Sequence, residues 1–264
     1  MRPFLFSIGS FRFPSFFFFI MVATLAATFY GYWVGKKRGL RTEVILDLGM
    51  IGMIAGVIGS RIFHILVEAP DYYWEKPVRV FEFWRGGFVS WGGFLAIGVS
   101  FAAYFRVRHL PPWPYFDILA VAAPIIKFFV RVACLLTGCC YGKPTDLPWA
   151  ITFTDPSSTA YYFYPNTPLH PTQVYSMIHA LLLFILVNWF YWKRHRFDGQ
   201  TILILAMGWS LPRAFIEFFR GDQDRGLYFV GAVSTGQVMG VLIFVASLFI
   251  YLTRRRKAGS SDAR

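Results

Sequence analysis

The chain has 264 residues, of which 56% are apolar, 20% aromatic and only 15% charged, with a mean hydropathy of +0.49. Soluble globular domains carry about a quarter charged residues; this composition excludes an ordinary soluble enzyme, and the apolar content excludes a disordered chain. The formal net charge of +12 would suggest nucleic acid in a soluble protein. Here it reads as basic cytoplasmic loops, and no nucleic acid partner is expected.

Seven apolar segments follow in chain order: 15–34, 45–67, 88–105, 115–137, 174–192, 200–219 and 231–253. Most are long enough to cross about 30 Å of hydrocarbon at 1.5 Å per residue. The third is the shortest and rich in glycine, and the sixth carries Pro212 and charges. The first lacks a cleavage site and is followed by Gly35-Lys36-Lys37-Arg38, so it reads as a span and not as a removed leader. The fold class predicted is an all-α polytopic membrane protein of about seven transmembrane helices. A single transmembrane domain would cover 1–257, with a short polar cytoplasmic tail at 258–264.

The loops alternate in charge. Lys36, Lys37, Arg38, Arg41, Arg106, Arg108, Lys193, Arg194, Arg196, Arg254, Arg255, Arg256, Lys257 and Arg264 fall on one side. Arg2, Arg12, Lys76, Arg79, Arg85, Lys143, Arg220 and Arg225 fall on the other. The excess of Lys and Arg belongs in the cytoplasm, which predicts an outside amino terminus and a cytoplasmic carboxyl terminus. Tyr72, Tyr73, Trp74, Trp113 and Trp149 lie near the predicted boundaries, as interfacial aromatics do.

Ionisable residues inside spans carry the information, because each costs at least about 2.5–3.5 kcal/mol to insert. They are Arg61, Lys127, Arg131, Arg213 and Glu217, with Arg220 at the outer end of the sixth span. Lys127 and Arg131 are four apart and share a helix face, as do Arg213 and Glu217. Four cations against one carboxylate call for an anion, and a lipid phosphate is the economical partner for guanidinium groups. The bland alternative is snorkelling to an interface, which suits Arg61 and Arg220 better than Arg131. The glycines of Gly86-Gly87-Phe88-Val89-Ser90-Trp91-Gly92-Gly93 either pack helices closely or leave room for lipid.

The cysteines, Cys134, Cys139 and Cys140, are too few for a disulfide framework. Cys139-Cys140 reads as a buried apolar pair, a reactive thiol favoured by Arg131 and Lys127, or a strained disulfide. His170, just before the fifth span, is a candidate proton shuttle or cap. No set of His, Asp, Glu or Cys has metal-ligand spacing, and no phosphate or dinucleotide glycine loop is present. No metal or other cofactor is therefore expected.

Several motifs in order resemble the bacterial prolipoprotein diacylglyceryl transferases over roughly 5–257. His170-Pro171-Thr172-Gln173-Val174-Tyr175 is similar to that family's His-Pro-Ser-Gln-x-Tyr. Arg213-Ala214-Phe215-Ile216-Glu217-Phe218-Phe219-Arg220 resembles its Arg-x-x-x-Glu-Phe-Phe-Arg, and Ser234-Thr235-Gly236-Gln237 its Ser-x-Gly-Gln. Arg131 through Thr145 takes the place of its signature. Against the family pattern, Cys134 and Thr137 replace two asparagines, Cys139 a glutamate, Trp91 a histidine and Trp209 a tyrosine.

The resemblance implies an enzyme of the bacterial inner membrane. It would move the diacylglyceryl group of phosphatidylglycerol onto the lipobox cysteine of a prolipoprotein, with no cofactor. Arg213, Cys139, His170 and Glu217 are then the candidate catalytic residues. Arg131, Lys127, Arg61 and Arg220 are the candidate ligands of the anionic phospholipid. The rival readings are a phospholipid-binding protein without chemistry, a lipid transferase with another acceptor that uses Cys139, and a thiol redox protein.

Overall fold

A computed structural model describes residues 2–8, 11–83, 86–222, 227–228 and 233–261. A hairpin of β1 (Phe4–Ile8) and β2 (Phe11–Pro14) leads into α1 (Ser15–Lys37). Next come α2 (Thr42–Phe63), α3 (Pro70–Glu75), α4 (Ser90–Arg108) and α5 (Pro112–Thr137). The loop after α5 holds β3 (Ile151–Thr152), α6 (Thr159–Phe163) and β4 (Pro168–Leu169). Then α7 (Thr172–Lys193) and α8 (Gln200–Ile216) lead to β5 (Leu227–Tyr228), β6 (Val233–Ser234) and α9 (Thr235–Ser261).

Six helices among the described residues are long and apolar enough to cross a membrane. The third predicted span is a helix, α4, but it is not one of the six. Its glycines, Ser100 and Arg106 dilute its apolar character. Leu66, Phe94, Val99, Leu182, Ile185 and Phe249 each leave more than half of their surface uncovered by the protein. Apolar side chains turned outward all along long helices need an apolar solvent. The protein is a multi-pass membrane protein.

The chain divides into two compact units, Tyr32–Tyr115 and Met1–Gly31 with Phe116–Arg264. In the first, α2 and α4 pack along one another. A Cβ at Gly59 would sit 2.2 Å from that of Ala96, and one at Gly92 would sit 2.5 Å from the Gly59 carbonyl. Gly92 and Gly93 therefore serve close packing of α4 on the backbone of α2. At the end of α2 the helix widens, with the Ala69 N–H donating to His64 O across five residues.

In the second unit, α8 packs on α7 and α9 around Ala120, Leu183, Val187, Ile204 and Leu205. A smaller core of Tyr141, Phe153, Ala160 and Leu169 lies under the loop between α5 and α7. The start of α8 is capped from a distance. Buried Asp117 accepts from the N–H groups of Gly199 (2.7 Å) and Ile202 (3.0 Å) and pairs with His195 Nε2 at 2.9 Å. The last helix begins at Thr235, later than the predicted Gly231, because Ser234 and Gln237 form a capping box. Gln237 Oε1 accepts from Ser234 N at 2.9 Å, and Ser234 Oγ accepts from Gln237 N at 3.3 Å. Arg85, Arg225, Gly231 and the end of the predicted tail at 262–264 lie outside the described residues. The earlier part of that tail continues α9 to Ser261.

Candidate anion and thiol site

Three motifs far apart in the sequence meet through backbone contacts after α5. The Lys143 N–H donates to Phe219 O at 2.8 Å, His170 N to Lys143 O at 3.0 Å, and Gly221 N to Tyr141 O at 3.0 Å. Gly142 lies where these strands of chain cross. A Cβ there would fall 2.4 Å from both the Cβ and the carbonyl of His170, and one at Gly221 would fall 2.5 Å from Gly142 O. Only glycine fits such an approach.

The turn that leaves α5 explains how the cysteines gather. Gly138 has φ +70 and ends the helix, and the Cys139 N–H folds back onto Cys134 O at 3.2 Å. Cys140 then takes φ +56, a conformation that costs an L-residue about 1–2 kcal/mol. The start of α7 holds this turn: Gln173 Nε2 donates to Cys139 O at 2.8 Å and Thr172 Oγ1 to Cys140 O. As a result the three sulfurs lie within 4.8 Å of one another. A Cys-x4-Cys-Cys spacing carries no metal signal in the sequence; it is the turn after α5 that gathers the three sulfurs.

The thiols differ in character. For Cys139 the hydrogen bond to Cys134 lowers the pKa, but that to Cys140 and burial outweigh it, and the group is raised to about 11. Cys140 is held well below the ordinary thiol range by hydrogen bonds from Cys134 and Cys139, against burial and with the help of Arg131 and Arg220. Arg131 and Arg220 lie within electrostatic reach of Cys140.

The predicted Arg213–Glu217 pair is present. Arg213 Nη1 donates to Glu217 Oε2, and Arg220 Nη1 lies 3.5 Å from the same oxygen. Glu217 is 3% exposed, so this oxygen is reserved for the two guanidinium groups. Arg220 is also gripped by both oxygens of Asp222. Gly236, at the start of α9, faces this pair: a Cβ there would lie 3.5 Å from Glu217 Oε2 and 3.7 Å from Arg213 Nη2. The Ser-x-Gly-Gln motif thus caps α9 and leaves room for the ion pair in the same four residues.

Lys127, 5% exposed, is held differently. Its Nζ is 2.7 Å from His179 Nδ1 and 4.2 Å from the centre of the Trp209 ring. His179 Nε2 lies 2.9 Å from Gly208 O. A carbonyl only accepts, so Nε2 donates and Nδ1 is left to receive a proton from Lys127. Sequence reading missed His179, although an ionisable residue in the middle of the fifth span was a visible signal. Arg131, Arg213 and Arg220 lie within electrostatic reach of one another, and Lys127 within reach of Arg131 and Arg213. Among the described residues, four cations share this region with two carboxylates, Glu217 and Asp222.

His170 stands beside it. Its Nδ1 is 3.2 Å from Tyr175 Oη, which accepts from Trp149 Nε1 at 2.9 Å, and its ring packs on Phe219 at 5.2 Å. These contacts fix the imidazole plane and occupy Nδ1 only.

Arg61 corrects the prediction that it holds a headgroup. All five of its N–H donors meet backbone carbonyls: Nε meets Val80, Nη1 Gly86 and Gly87, and Nη2 Arg79 and Glu82. The rings of Tyr73, Phe83 and Phe88 cover it. A cavity of about 300 Å³ borders it, with His64, Tyr73 and Arg79 also in the wall, but Arg61 has no donor left for an anion there.

This is a membrane protein with a cation-rich site built around an arginine–glutamate pair, an arrangement suited to an anionic ligand. The family model described as prolipoprotein diacylglyceryl transferase matches residues 3–253, and the chain belongs to that family. A phosphatidylglycerol–prolipoprotein diacylglyceryl transferase of Clostridium tetani is 29% identical over 97% of this chain and 100% of its own. One of Paracidovorax citrulli is 32% identical over 86% of this chain and 82% of its own. One of Nitrosomonas europaea is 30% identical over 78% of this chain and 70% of its own.

Proposed function

We propose that this protein transfers the diacylglyceryl group of phosphatidylglycerol to the cysteine thiol of a prolipoprotein in the bacterial inner membrane. The observation that carries the reading is the surplus of cations among the described residues: Lys127, Arg131, Arg213 and Arg220 share the site with two carboxylates, Glu217 and Asp222, and the Cys140 thiol. A phosphodiester supplies the missing negative charge. The larger basic set of loops is read as cytoplasmic, which puts the turn after α5 on the other side, where secreted preproteins emerge.

In the reaction the acceptor thiol gives its proton to His170, whose Nε2 is not engaged by Tyr175. The thiolate attacks the glyceryl carbon bonded to phosphate oxygen. A carbon–sulfur bond forms, the carbon–oxygen bond breaks, and the electron pair leaves on glycerol phosphate. The phosphate gains one negative charge in that step, so its attraction to Arg131 and Arg213 is strongest in the transition state. Glu217 orients Arg213. Arg220, gripped by Asp222 and Glu217, positions that carboxylate and does not clamp the headgroup.

The test is mass spectrometry of a lipobox peptide incubated with purified protein and phosphatidylglycerol. A diacylglyceryl mass shift is expected, reduced by about 10²–10³-fold in Arg131→Ala. No shift from folded, lipid-loaded protein would overturn the transferase reading and leave a phospholipid-binding protein.

A further inference from the structure

We infer that Cys134, Cys139 and Cys140 form a tris-thiolate site for a soft d10 cation, Zn²⁺ or Cu⁺, that fastens the turn after α5. The inference does not depend on the transferase reading, because it uses only the thiols and their supports.

Geometry comes first. Zinc–sulfur bonds of 2.3 Å at tetrahedral or trigonal angles put sulfurs about 3.8–4.0 Å apart. The three Sγ atoms already lie within 4.8 Å of one another, so small side-chain rotations close the site. The backbone that presents them is held from outside the cluster. Gly138 and the Cys139-to-Cys134 bond fold the turn back, and Thr172 and Gln173 of α7 anchor the carbonyls of Cys140 and Cys139. Gln173 is fully buried, and its Oε1 has no hydrogen-bond partner among the described residues. A buried acceptor left over beside three thiols suits a site that takes a cation.

Softness and charge come next. Thiolates select zinc and copper(I) over magnesium, calcium or manganese. Binding releases the thiol protons to solvent, and three thiolates with one divalent ion carry a single negative charge. Arg131 and Arg220 both lie within electrostatic reach of Cys140, so that anion is matched by guanidinium groups and not left exposed in an apolar interior. The ion would tie the end of α5, and with it Arg131, to the Cys139-Cys140 turn.

The experiment is a cadmium titration of the reduced, detergent-solubilised full chain, followed by thiolate-to-metal absorption in the near ultraviolet. Saturation at one equivalent is expected, with an intensity that matches three thiolates. Separate arms add zinc and copper(I) as competitors, and displacement by one or the other says which ion the site prefers. Cys139→Ser and Cys140→Ser should each weaken binding by at least about 100-fold, the scale of losing part of a metal shell. Circular dichroism verifies that each variant is folded, and the wild-type titration needs no variant. The inference is overturned if folded wild-type protein gives no such band, or if the band survives both substitutions. Recovery of a disulfide that cannot be reduced without unfolding the chain would overturn it as well.

Discussion

Two sets of intramembrane arginines occupy the two units of this protein, Arg61 buried and Arg131 and Arg213 half-buried, and they are satisfied in opposite ways. Arg61 spends every donor on main-chain carbonyls and is walled by aromatic rings. Arg131 and Arg213 meet a thiol and a carboxylate that they share with further cations. A guanidinium with neutral partners on all sides holds a loop in shape. Guanidinium groups that outnumber their carboxylates still need an anion. An intramembrane arginine is therefore read from what its N–H groups touch.

Substitutions can break this contrast. The largest effect is expected from Arg213→Ala, which should cut turnover of a lipobox peptide by about 10³-fold while the detergent melting curve changes little. A steep loss of melting temperature with normal turnover per folded molecule would reverse the roles. Next, Arg61→Ala leaves five carbonyls short of donors, at about 1–3 kcal/mol for each that finds no water. It should lower thermal stability strongly and spare turnover of the folded fraction to within a few-fold; a melting curve like that of wild type would show that the carbonyl cage does not need its guanidinium. The smallest change is expected from Glu217→Gln, which keeps the shape and drops the charge. Turnover should fall about tenfold, or about 1.4 kcal/mol, because Arg213 loses its anchor. Unchanged kinetics would remove Glu217 from the positioning role.

The local parts of this design were legible in the sequence. Arg213 and Glu217 are one helical turn apart, so their pairing follows from spacing. The helices that became α1, α5, α7 and α8 were visible as apolar runs, and the alternation of basic loops suggested their order. Long-range parts were not legible. The fate of Arg61 is decided by carbonyls of 79–87, which no periodicity connects to α2. The thiol cluster depends on a left-handed Cys140 and on support from α7, neither of which the spacing of three cysteines reveals. The start of α9 was misplaced because apolar content was followed, when the capping box at Ser234 sets the first turn.

The crossing at Gly142 also has a consequence for how the protein is made. Its neighbours come from segments translated at three separate times: the turn after α5, the stretch before α7, and the end of α8. Until Gly221 has emerged, Lys143 lacks its partner at Phe219 and the arginines of α5 and α8 cannot share a field. A nascent chain truncated before that point carries several inserted helices but no anion site. On the proposed function, lipid capture therefore begins only after α8 has been made, and a chain truncated before it cannot hold phospholipid away from finished copies.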